Sequence, residues 1–121
     1  MTVFDSSALL ALLKGESGAE QVREMISEGD VCGAANWSEV AQKVRAAGAD
    51  WSLHRAILGT LGIDVEPVDE PDALRAAELW RPGAGLSLAD RLCLALGERI
   101  GEPVVTADRA WAGHPGVEVI R

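Results

Sequence analysis

The apolar positions of this chain fall into short runs separated by longer amphipathic stretches. The first run is Val3-Phe4, closed by Asp5. Two serines follow, and an apolar segment then continues to Leu13, with Gly15 close behind. This reads as a buried strand over 3–4, a helix over 7–13, and a carboxylate delivered where the strand stops. The pattern recurs. Residues 31–35 predict a strand of small residues, and 63–68 a strand near an edge, because Pro67 cannot donate to a ladder. Residues 103–107 predict a buried strand ending at Asp108, and 117–120 a last strand. Between the strands the period lengthens to that of helices, over about 18–28, 40–47, 50–61, 71–80 and 88–100. Three helix starts carry a Ser or Asn followed three residues later by an acid: Ser17 with Glu20, Asn36 with Glu39, and Ser87 with Asp90. Each fits a capping box. Arg81-Pro82-Gly83-Ala84-Gly85 is the clearest loop.

Strands alternating with helices predict an α/β fold: a three-layer α/β/α sandwich around a mostly parallel sheet. There is no repeat, low-complexity tract or linker, so the expectation is one domain over 1–121.

In such a sheet ligands sit outside the carboxyl ends of the strands. Asp5 and Asp108 follow strands directly, and Glu39 and Asp90 lie in first helical turns. With parallel strands, Asp5, Glu39 and Asp108 share one edge, and Asp90 joins them if its helix starts there. Crowded carboxylates raise each other's pKa unless a cation neutralises them. Oxygen-only ligands favour Mg²⁺ or Mn²⁺, ions that activate water and stabilise the leaving oxygen of phosphoryl chemistry. The same acids have a plainer reading. Glu39 and Asp90 sit where acids stabilise a helix start, and strand-end aspartates cap turns. The residues alone leave both readings open.

Composition narrows the field. Acids exceed bases by eight charges and the pI is about 4.6, which by itself argues against a nucleic-acid binder. Cys32 and Cys93 lie far apart in apolar stretches and read as core, and His54 and His114 form no zinc spacing. No run approaches a membrane helix and no basic leader precedes Val3, so a cytoplasmic protein without membrane contact is expected. Glycine-rich nucleotide motifs are absent. Asp5 is followed by Ser6-Ser7, which breaks the D-x-D of phosphoaspartyl phosphatases, and the paired acids and late lysine of a receiver domain are missing.

Four segments together are more specific than any one of them: V-F-D-S-S-A-L-L-A at the start, S-E-V in mid-chain, the helix opening L-S-L-A-D-R, and the strand end V-V-T-A-D. Over essentially its whole length the chain resembles the PIN-domain ribonucleases, and among them the VapC-type toxins of bacterial toxin–antitoxin pairs. The resemblance implies Asp5, Glu39, Asp90 and Asp108 as a metal-binding acidic site for one or two Mg²⁺ or Mn²⁺ ions and RNA hydrolysis. It implies Thr106 as the supporting hydroxyl, with Ser6 beside Asp5 as a second. Some members carry a further acid after the third one; here that position is Arg91. Lys43, Arg91 and Arg109 are the candidate RNA contacts, and Trp37 and Trp111 the candidate base-stacking residues. A cognate antitoxin and a homodimer are expected as partners. The alternative is an interaction module that binds an antitoxin-like partner without catalysis.

Overall fold

The computed structural model describes residues 1–121. Five short strands, all parallel, form one sheet in the order β3-β2-β1-β4-β5. They are β1 (Val3–Phe4), β2 (Val31–Gly33), β3 (Asp64–Glu66), β4 (Val104–Thr106) and β5 (Val117–Val119). Six helices connect them: α1 (Ser6–Lys14), α2 (Ala19–Met25), α3 (Ala34–Ala46), α4 (Trp51–Thr60), α5 (Glu70–Glu78) and α6 (Leu88–Ile100). A 3₁₀ turn over Arg109–Trp111 leads into β5.

Side-chain alternation along the strands builds two cores. Phe4, Cys32 and Val105 point to one face, where they meet Leu9 of α1, Val22 of α2, Val40 of α3 and Leu58 of α4. Val3, Val31 and Val104 point to the other, against Cys93, Leu94 and Leu96 of α6 and Trp111. Helices on both faces of a parallel sheet make the expected three-layer sandwich. α6 seats so closely on the sheet that a Cβ at Gly97 would come 2.4 Å from Val104 Cγ2. α5 lies antiparallel beside α6. Arg99 Nε donates to the buried Asp72 at 2.8 Å near one end, and Arg91 Nη1 donates to the Ala76 carbonyl at 2.8 Å towards the other.

The chain leaves central β1 for β2 and then β3 on one side, and only afterwards crosses to β4 and β5 on the other. The order therefore reverses between β1 and β4, the place where open parallel sheets gather ligands at their carboxyl ends. Asp5 follows one of these strands and Asp108 closely follows the other. No helix is long and apolar enough to cross a membrane.

Several local expectations fail. α2 is capped by Gly18, which adopts φ 97° and offers no side-chain bond, so Ser17 and Glu20 form no box; α2 also stops at Met25 rather than 28, because Ile26 turns extended. β2 ends at Gly33, and α3 starts at Ala34 with no side-chain cap. Asn36 is thus inside the helix, and the proposed box with Glu39 does not exist. The third strand does lie on an edge, but it spans only Asp64–Glu66 rather than 63–68, and Pro67 falls just outside its ladder.

Candidate active site

Asp5 ends β1 and caps α1, its Oδ1 accepting from the Ala8 N–H at 2.9 Å. The Ser7 hydroxyl reaches both carboxylate oxygens, at 2.8 and 2.9 Å, and Thr106 Oγ1 donates to Oδ2 at 2.6 Å. The carboxylate is only 3% exposed. Burial pushes its pKa up from 3.8 to about 6; the bonds from Thr106, Ala8 and Ser7 oppose the rise, and the nearby charge of Asp90 adds to it.

The same two hydroxyls fasten β4. Ser7 Oγ accepts from the Ala107 N–H at 2.9 Å, and Thr106 Oγ1 accepts from the Asp108 N–H at 3.0 Å. Thr106 thus links the Asp5 carboxylate to the Asp108 backbone, and Ser7, which no motif singled out, links it to Ala107. Ser6 turns to a different acid, donating to Glu39 Oε1 at 2.9 Å. Glu39 is half-buried in the second turn of α3, and Asn36 Nδ2 lies 3.4 Å from the same oxygen.

Asp90 closes a capping box at the start of α6. The Ser87 N–H donates to its Oδ2 at 2.9 Å, and its own N–H donates to Ser87 Oγ at 3.1 Å. Asp108 is exposed, and its Oδ1 accepts from the Ala110 N–H at 2.9 Å. Burial raises the Cys93 thiol pKa first, and the charges of Asp5, Cys32, Asp90 and Glu39 raise it further. The charges of Asp5, Asp90 and Glu39 thus all reach the Cys93 thiol, and Asp108 is tied to Asp5 through Thr106. Both cysteines are buried and unpaired, as core residues.

No three His, Cys, Asp or Glu side chains stand together as a ready metal cage. The donor set nevertheless fits a hard divalent cation. It is all oxygen, and Mg²⁺ characteristically takes one or two carboxylates and keeps several waters. A cation would also relieve the Asp5–Asp90 repulsion that helps to hold Asp5 at an elevated pKa.

The predicted basic residues divide. Lys43 is exposed one turn beyond Glu39 on the same face of α3. Arg109 is exposed and lines a cleft of about 500 Å³ with Ser7, Ala107, Asp108 and Arg121. Arg91 is half-buried and already engaged with the Ala76 carbonyl. A second cleft of about 480 Å³, bordered by Glu98, Pro103 and His114, opens at the amino end of β4, so volume does not single out the site and chemistry must. Trp111 is 1% exposed in the core and cannot stack on a base; Trp37 packs edge to face on Trp51 at 5.3 Å. The exposed tryptophan is Trp80, in the loop before α6.

A family description of the PIN domain matches residues 2–116. The chain belongs to the PIN-domain family. As a PIN domain it is similar to Ribonuclease VapC42 of Mycobacterium tuberculosis, 32% identical over 114 residues that cover 85% of this chain and 87% of the relative. A VapC ribonuclease of Mycobacterium bovis is similar to the same extent. Among solved structures, a toxin–antitoxin complex from Klebsiella pneumoniae aligns at TM-score 0.83 and 24% identity, covering 100% of this chain and 98% of that one. The Mycobacterium tuberculosis toxin VapC20, described as cleaving the sarcin-ricin loop, aligns at 0.79 and 18% identity over 100% of both chains. At these identities the structures speak for the PIN fold.

Proposed function

We propose that this chain is a single PIN domain that hydrolyses RNA phosphodiester bonds with Mg²⁺ or Mn²⁺, as the toxin of a cytoplasmic toxin–antitoxin pair. The observation that carries the reading is the buried Asp5 carboxylate at the reversal between β1 and β4, held by Ser7 and Thr106 and facing the charge of Asp90. Support comes from relatives named as ribonucleases and from a structural neighbour solved as a toxin–antitoxin complex.

Asp5, Glu39, Asp90 and Asp108 are the residues that would hold the ion. Once bound, it would supply Lewis acidity for activating water and neutralise charge developing on the phosphate. The chain's own residues orient the site. Ser7 and Thr106 lock the Asp5 carboxylate together, and Ser6 steadies Glu39. Arg109 beside Asp108 and Lys43 beyond Glu39 offer cations to flanking phosphates. With a net charge of −8 the grip on RNA is weak and salt-sensitive. A partner arginine laid against the acids would bind by charge-assisted hydrogen bonds and block the site, the expected action of an antitoxin. A homodimer completes the proposed assembly.

The test is cleavage of RNA by the purified chain in Mg²⁺ or Mn²⁺. Activity lost on chelation and in Asp5→Asn and Glu39→Gln supports the reading; activity that survives both substitutions refutes it. One observation favours the interaction-module alternative: the Asp90 and Asp108 carboxylates are both engaged in caps. A chain that binds a protein partner yet neither takes up Mn²⁺ nor cuts RNA would establish that alternative.

A further inference from the structure

Asn36 occupies the first turn of α3 and is 1% exposed. Its Nδ2 faces two acceptors at once, Glu39 Oε1 at 3.4 Å and the Ala89 carbonyl at 3.4 Å. Ala89 immediately precedes Asp90. Its Oδ1 has no partner, and it stands where a Cβ on Gly33 would come within 3.3 Å. A buried carbonyl left unpaired costs on the order of 1–3 kcal/mol. Turning the amide over would not help, since its oxygen would then face a carboxylate and a carbonyl. An apolar residue of similar size would avoid the cost and suit the helix better. The amide is therefore explained by its donors, and those donors join the segment bearing Glu39 to the segment bearing Asp90.

We propose that Asn36 is a positioning residue whose amide holds Glu39 against the first turn of α6, fixing the spacing of Glu39 and Asp90 and with it the affinity of the acidic site for a divalent cation. This rests on the metal-site reading above. Groups that orient metal ligands without touching the ion typically change affinity by about ten- to a hundredfold when removed.

The experiment is Mn²⁺ calorimetry on the wild type, Asn36→Leu, Glu39→Gln and the double variant, with urea unfolding under chelator as a second measurement. Asn36→Leu is expected to weaken Mn²⁺ binding by about tenfold or more, and the double variant to bind no more weakly than Glu39→Gln alone. Gly33→Ala, at an ordinary φ of −65°, crowds only Asn36 and Leu96 and is expected to weaken Mn²⁺ severalfold while all acids remain. That variant carries the test if Asn36→Leu does not fold. Wild-type affinity in both Asn36→Leu and Gly33→Ala, or strictly additive losses in the double variant, overturns the proposal. A wild type that takes up no ion overturns the metal reading instead. A urea cycle of Asn36→Leu with Glu39→Ala, which removes the acceptor, then decides whether Asn36 holds Glu39: coupled midpoints retain that link and additive midpoints remove it.

Discussion

At the start of α6, Ser87 and Asp90 exchange two hydrogen bonds between side chain and backbone, and the carboxylate is part of the helix end. At the start of α3 no side chain caps the helix, and Glu39 stands one turn further in, receiving its bonds from the side chains of Ser6 and Asn36. The charges of both acids reach the buried Cys93 thiol. One is held by its own backbone and stabilises the fold; the other is held by neighbouring side chains and has no structural duty of its own. An acidic site can thus be assembled from carboxylates recruited in different ways, and their substitutions should separate function from stability.

The largest effect is the one in which the two acids should agree. Glu39→Gln and Asp90→Asn are each expected to lower RNA cleavage by on the order of 10³-fold, about 4 kcal/mol of barrier. Single-turnover cleavage at saturating Mg²⁺ measures it. A loss confined to one of the two would break the comparison at its functional end.

Next in size is Asp5, the buried acid between them. Its pKa is about 6 in the fold against 3.8 for an ordinary aspartate. Between these values the native state holds the proton that the unfolded chain has released, so stability falls as pH rises. The burial cost is absent below about pH 3.8 and complete above about 6, and amounts to about 3 kcal/mol at roughly 1.4 kcal/mol per unit. Metal-free Asp5→Asn should therefore be more stable than wild type at pH 7, with the gap closing towards pH 4 in urea titrations. Added Mn²⁺ should stabilise the wild type and not the variant, and its uptake near pH 6 should release protons.

Smaller, and more discriminating, is stability without metal at α6 and α3. Asp90→Ala removes half of a capping box and should cost about 1 kcal/mol. Glu39→Gln keeps an acceptor for Ser6 and should change stability by less than about 0.5 kcal/mol. Chemical denaturation in chelator reads the contrast directly. Smallest of all is Lys43→Ala, which should leave folding unchanged and reduce the salt dependence of RNA binding by roughly one phosphate contact.

These two helix starts also show what could be read from the chain. The box at Ser87 and Asp90 is a contact across three residues, and the local pattern specified it. The same pattern at Asn36 and Glu39 misled, because a capping residue must lie outside the helix. Ala34 and Ala35 are strong helix formers and draw the start of α3 back to Gly33. The pattern at Ser17 failed when Gly18 took a left-handed conformation. Asp5 was legible because an apolar run ended on it. Ser7 was not, since its bond to the Ala107 N–H spans 100 residues of sequence and exists only once β1 and β4 are paired. Trp111 follows a strand end, but the 3₁₀ turn carries it into the core beside Val3 and Cys93. What was hidden in each case depended on tertiary pairing rather than on local chemistry.

The central claim is that the acids of α3 and α6 belong to one cation site despite their different supports. Mn²⁺ titration calorimetry at pH 7 on the wild type, Glu39→Gln, Asp90→Asn and Ser87→Ala tests it most directly. Saturable binding is predicted in the wild type, weakened by about tenfold or more but still measurable in both acid variants, and retained in Ser87→Ala, where the cap is broken but the carboxylate remains. No binding in the wild type, or an Asp90→Asn curve that overlays it, would contradict the claim and return Asp90 to its helix cap alone.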